Sequence, residues 1–118
     1  MSASLCLYIA GPMRHHKWFN YPSFDAAEVF LLDKGLKCIN PAQLDRDAGF
    51  DAMQLPEDTN WSVLPDHLKL REVFLRDTEA ICKRADGIYL LPGWQNSKGA
   101  KAELALAEAL GLIVMEQR

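Results

Sequence analysis

The stretch "SLCLYIAGPMRHHKWFNYPSFDAAEVFLLDKGLKCIN", residues 4–40, contains a complete change of hydrophobic period and return. Its opening apolar run is stopped by Gly11-Pro12, the pattern of a buried strand ending in a tight turn, placed at about 5–10. From Pro22 to Lys34 the residues Phe24, Ala27, Val29, Phe30 and Leu31 recur at helical spacing, and Gly35 stands where a C-cap belongs. "LKCIN" then reads as a second strand closed by Pro41. Strand, helix and strand within so short a stretch form a βαβ unit, whose strands are expected to be parallel and joined by a right-handed crossover.

Outward from this unit, residues 42–66 have no sustained period and read as a flap or binding loop, with room for a helical turn. Asp66 is the expected N-cap of a helix running to about Ala85. "GIYLLPG" is a further buried strand, a helix follows Ser97, and "GLIVME" supplies the last strand. The order β-α-β-loop-α-β-α-β predicts one α/β domain over residues 1–118. It is a small doubly wound sheet, Rossmann-like or flavodoxin-like, of about four to five mostly parallel strands flanked by helices. Ligands of such sheets lie beyond the carboxyl ends of the strands, which points to the loops after Ala10, Asn40 and Leu91. Gly11 and Asn40 are counted among the candidate binding residues for that reason.

Composition narrows the possible partners. Hydrophobic residues make up 49% and charged residues 25%, a globular balance. The net charge of −3 offers no footprint for polymeric nucleic acid or an anionic membrane. No run is long enough to span a bilayer, and "LCLYIA" lacks the basic residues that precede it in a signal peptide. Cys6, Cys38 and Cys82 are an odd number without metal-type pairing and read as buried reduced thiols, so the expected location is cytoplasmic.

Two carboxylates interrupt two apolar stripes. In "SKGAKAELALAEALG", Glu103 shares its helix face with Gly99, Ala100, Leu106, Ala107 and Leu110, while Lys98, Lys101 and Glu108 lie opposite. In "LKLREVFLRDTEAICKRAD", Asp77 falls amid Leu70, Val73, Phe74, Ala80 and Ile81, with Glu79 on the far side. Internal ion pairs explain either case alone. Two on neighbouring helices suggest an acid/base or nucleophile pair of the kind used at glycosidic carbons. Ser97 and Gly99 open the last helix, where a hydroxyl and free amides can seat a phosphate, although a plain N-cap reads the same way. Tyr8 lies near the ligand end of the first strand and can hydrogen-bond a carboxylate or simply pack. Trp94 and Trp61 can stack on a base or cover apolar surface. His15 and His16 have no third ligand at metal spacing and read as solvated loop residues, and Asp86 reads as structural.

"YIAGPM", "RDTEAICKRADGIYLLPGW" and "SKGAKAELALAEALG" together resemble, in order and spacing, the nucleoside 2-deoxyribosyltransferase-like superfamily. "LLPGWQNSKGAKAE" resembles a small bacterial and phage branch of it, whereas residues 42–66 match no motif of the family. The resemblance implies cleavage of the N-glycosidic bond of a nucleoside or nucleotide, with Glu103 attacking C1′ to form a covalent glycosyl ester resolved by water or a second base. Tyr8 then holds Glu103, and Asp77, one residue off the usual distance to Asp86, assists base departure or sugar binding. Six residues before the nucleophile the transferases carry an aspartate; Ser97 stands there instead, with Gly99 also matching, as in hydrolases that contact a 5′-phosphate. The resemblance further implies no metal or organic cofactor, a small-molecule nucleotide or nucleoside as ligand, and a homodimer or larger homo-oligomer.

Overall fold

Among the described residues, 4–59, 62 and 64–117, the computed structural model has four strands and four α-helices. They run β1 (Cys6–Ala10), α1 (Tyr21–Asp33), β2 (Lys37–Ile39), α2 (Pro41–Asp47), α3 (Leu70–Arg84), β3 (Gly87–Leu90), α4 (Lys98–Ala109) and β4 (Ile113–Glu116). All strand pairs are parallel, in the order β2-β1-β3-β4, with Tyr8 paired to Ile39 on one side and Ile88 on the other. This is the expected doubly wound α/β sheet, with four strands. The chain reverses its direction of travel across the sheet between β1 and β3, so their carboxyl ends flank the crevice where this architecture binds ligands.

Strand alternation divides the core into two layers. Leu7, Ile9, Tyr89 and Leu91 pack with Phe24, Ala27 and Leu31 of α1. Tyr8, Ala10, Ile88 and Leu90 face the other way, onto Ala80 and Ile81 of α3 and Ala100 and Ala107 of α4. Because the side-chain period of a strand is two, this register alone sends Tyr8 toward the helices that carry both suspect carboxylates. Gly35 ends α1 at φ +81°, with the Leu36 amide donating to the Leu31 carbonyl at 3.0 Å, the expected glycine C-cap.

Several expectations need correction. Residues 42–66 are not an unbroken loop, because Asn40 caps a helix whose first residue is Pro41, and Ala52–Gln54 form a further short turn. Asp66 does not cap α3. It opens a three-residue 3₁₀ turn that buries Leu68, extended Lys69 follows, and α3 starts at Leu70. On α1, Val29 and Phe30 are exposed, the Phe30 ring stacking on Tyr89, and Leu70 and Leu110 at helix ends are exposed as well. Trp61 lies outside the described residues.

Candidate active site

Tyr8, Asp77 and Glu103 converge from β1, α3 and α4. Glu103 is one helical turn from both Ala100 and Ala107, so the contacts that bury those alanines also draw in the carboxylate. Asp77 is buried with Ala80 and Ile81 in the same way. The Tyr8 hydroxyl, wholly buried, donates to Glu103 Oε2 at 2.7 Å and is also within hydrogen-bonding reach of Asp77. Asp77 and Glu103 retain only 4% and 7% of their exposure, so water does little to stabilise either charge.

The electrostatics follow from that burial. Desolvation pushes the Glu103 carboxyl up to about 8, the charge of Asp77 adds to the rise, and the Tyr8 hydrogen bond and Arg76 oppose it. Desolvation also raises Asp77, to about 6, against the lowering pull of Arg76 and Tyr8. Between about pH 6 and 8 the pair therefore holds one proton, with one carboxylate ionised and the other protonated. Tyr8 itself is held far above its ordinary range by burial and by the acids around it, and stays a proton donor.

These three side chains line a cleft of about 530 Å³, within the size range of small-molecule sites. Another part of its wall is the start of α4. Ser97 Oγ accepts from the Ala100 amide at 3.1 Å, the N-cap foreseen from the sequence, and Ser97 and Gly99 both line the cleft. The first amides of a helix have no intrahelical acceptor and sit at the positive end of its dipole. A methyl built on Gly99 would approach only Phe74 Cζ at 3.5 Å and Ser97 Oγ at 4.0 Å, so packing does not demand glycine there. Gly11 also lines the cleft, yet packing explains it, since a Cβ would come within 2.7 Å of Leu91 Cβ.

Two candidate residues stand elsewhere. Asn40 accepts from the Ala42 amide at 2.9 Å and donates to Asp25 at 3.1 Å, so one end of its amide caps α2, the other ties to α1, and the residue is not in the cleft lining. The Trp94 indole packs on the α3–α4 side of the core and donates to Glu116 at 3.0 Å, outside the cleft lining. Asp86 is structural, accepting from the Cys6 amide at 2.8 Å at the start of β1.

Other residues enter that the sequence reading either took as solvated loop residues, as with His15 and His16, or did not single out. Arg14, His15 and His16 also line the cleft, as does Lys98, the arginine and the lysine giving it a cationic rim. Their loop is shaped by left-handed backbone at Trp18, Phe19 and Asn20, φ 51°, 53° and 63°, and Asn20 ties it back by donating to the Pro12 carbonyl at 2.8 Å. Behind Asp77 stands Arg76, which contacts both Asp77 and the buried Asp45 of α2. The "NPAQLD" helix-start signal, with Asn40 as cap and Pro41 at the first position, places Asp45 on a helix but does not reveal its partner. Among the described residues no three of His, Cys, Asp and Glu are gathered to hold a metal ion, and no helix is long and apolar enough to cross a membrane.

Comparison with known proteins adds one relationship. No curated protein and no solved structure matches the chain. Residues 5–116 match the model of DUF4406, a domain of unknown function, so the match spans every element of the fold and all of the cleft. The chain belongs to the DUF4406 family.

Proposed function

We propose that this cleft cleaves the N-glycosidic bond of a nucleoside or deoxynucleoside 5′-monophosphate, with Glu103 as the nucleophile, in the manner of the nucleoside 2-deoxyribosyltransferase-like superfamily. The observation that carries the reading is the buried Tyr8–Glu103 hydrogen bond at 2.7 Å beside Asp77, in a cleft that also holds the N-terminus of α4. A carboxylate buried this deeply is costly as a structural element, whereas a pair sharing one proton supplies both a nucleophile and an acid.

In the first step an ionised Glu103 oxygen attacks C1′ and the C1′–N bond breaks. The bonding pair leaves with the base, which takes the proton held by the carboxylate pair. In the second step water attacks C1′ of the ester, its proton returns to the pair, and Glu103 is released. Burial raises Glu103 further than Asp77, so before substrate binds the shared proton favours Glu103. The Tyr8 hydroxyl, within reach of both carboxyls, gives that proton a route to Asp77. Positive charge developing on the sugar favours the ionised nucleophile at the moment of reaction. The 5′-phosphate is assigned to Ser97, Gly99 and the cationic rim, because serine at a helix N-terminus favours an anion where an aspartate would repel it.

The proposal needs no metal or organic cofactor. It takes a small-molecule substrate rather than polymeric nucleic acid, in keeping with the net charge of −3, and a cytoplasmic setting, in keeping with three free cysteines, although these are not buried as expected: Cys6 and Cys38 are half-buried and Cys82 is exposed. We also take the working unit to be a homodimer or larger. Edge strand β4 leaves Ile113, Val114 and Met115 at 44%, 45% and 39% exposure, apolar surface that a second copy would cover. Incubation with a panel of nucleoside and deoxynucleoside 5′-monophosphates tests the activity. Base release that disappears in Glu103→Ala supports the hydrolase, exchange seen only with an added second base makes it a transferase, and nucleotide binding without base release makes it a binding module.

A further inference from the structure

The reaction above uses Tyr8, Asp77 and Glu103, but the buried polar network does not end with them. Arg76 precedes Asp77 on α3, and its side chain lies behind the carboxylate rather than in the cleft lining. Its Nε donates to Asp77 Oδ1 at 2.9 Å, and its Nη2 lies 2.8 Å from the same oxygen without the alignment of a hydrogen bond. Its Nη1 donates to Asp45 Oδ1 at 2.7 Å. The other oxygen of Asp45 accepts a short hydrogen bond from the buried Tyr21 hydroxyl. A line of contacts thus runs from α1 through α2 to α3, ending on the one Asp77 oxygen that Arg76 holds.

One guanidinium is shared between two buried carboxylates, and the sharing has consequences of opposite sign. Whatever strengthens the hold of Arg76 on Asp77 favours the ionised form of Asp77; whatever draws Arg76 toward Asp45 weakens that hold. The charged and titratable groups acting on Asp77 are Tyr8 from β1, Glu103 from α4, Arg76 from its own helix and Asp45 from α2. Of these, Arg76 is the cation, and Asp45 is the acid that competes for it. We propose that Arg76 is a positioning residue for Asp77, and that Asp45, anchored by Tyr21, sets the strength of its hold and thereby where the cleft proton resides. The role in catalysis rests on the function proposed above; the effect on Asp77 does not.

The experiment follows the Asp77 side-chain carboxyl carbon by ¹³C NMR across a pH titration of the full chain, in wild type, Arg76→Gln and Asp45→Asn. The pH dependence of kcat/KM for base release is recorded beside it. Loss of a cation at this distance should move the Asp77 midpoint up from about 6 by about one to three pH units in Arg76→Gln. Asp45→Asn, which keeps the shape and removes the competing charge, should move it down. A merely structural strut would lower the melting temperature in both variants and leave the midpoint alone, or move it the same way in both; either result overturns the proposal. Should Arg76→Gln fail to fold, the near-isosteric Asp45→Asn decides by its sign. If wild type releases no base from any nucleotide, the functional reading fails, while the titration still decides the role of Arg76.

Discussion

Replacing Glu103 with glutamine should make the protein more stable and inactive, and the gain in stability should depend on pH. In the fold the carboxyl sits at about 8, against the ordinary 4.5 of an unfolded chain, because burial penalises its charge. The folded state therefore holds a proton that the unfolded chain releases, and folding is favoured most below pH 4.5. That contribution shrinks as pH rises and is gone once pH passes about 8, where the wild type must either bury a charge or unfold. Glutamine keeps the shape and still accepts from Tyr8, but never ionises. The difference between the two pKa values corresponds to about 5 kcal/mol in favour of Glu103→Gln above pH 8. For a chain of this size that is a rise in melting temperature of roughly 20 °C. Thermal unfolding of both proteins at pH 5 and pH 9 is the assay. Curves that nearly coincide at pH 5 and separate at pH 9 are expected. An equal difference at both pH values, or a less stable variant at pH 9, would refute the claim that Glu103 is a desolvated carboxylate.

The remaining expectations concern the cleft and its borders. In wild type, kcat/KM should be bell-shaped with limbs near pH 6 and pH 8, since the reaction needs the pair to hold one proton. Tyr8→Phe removes a hydroxyl that favours both ionised carboxylates, so the whole bell should move upward by about one to two pH units, the equivalent of one hydrogen bond to a charged group. An unmoved profile would show that the 2.7 Å contact does not tune Glu103. Gly99→Ala should leave the fold intact or stabilise it by about 0.5–1 kcal/mol, yet weaken nucleotide binding, because its methyl group enters a wall that packing leaves open. Unfolding and nucleotide titration together check this, and undiminished affinity would remove Gly99 from the phosphate site. Trp94→Phe should change the turnover of a nucleotide substrate by less than about twofold, since the indole lies outside the cleft; a large loss of activity would return Trp94 to the site.

The sequence is most legible where one physical rule acts along one element. The change between periods of 2 and 3.6 gives β1, α1 and β2, and Gly35 ends α1 as its conformational freedom requires. Glu103 and Asp77 stand out for the same reason, each a charge on a helix face otherwise without charge. Once α3 and α4 are known to share a layer with the inward side of β1, their meeting with Tyr8 follows. Legibility fails where the deciding contact is between distant segments. Arg76 and Asp45 are 31 positions apart, and each alone reads as an ordinary charged residue on a helix. Asn40 falls at the ligand end of β2, yet its amide is taken by the cap it forms for α2 and by Asp25 of α1, uses that compete with any ligand. Arg14, His15 and His16 lie in the loop after Ala10 that the carboxyl-end rule points to, but its left-handed backbone at residues without glycine is something no propensity rule foresees.

The most direct test of the central claim is chromatographic measurement of free base after incubation with nucleoside and deoxynucleoside 5′-monophosphates, comparing wild type with Glu103→Ala. We expect wild type to release base from at least one monophosphate, to release markedly less from the corresponding nucleoside, and to lose the activity by a factor of 10³ or more on substitution, on the order of the loss of a catalytic nucleophile. Base release that persists in Glu103→Ala, or its absence from every nucleotide in wild type, would contradict it.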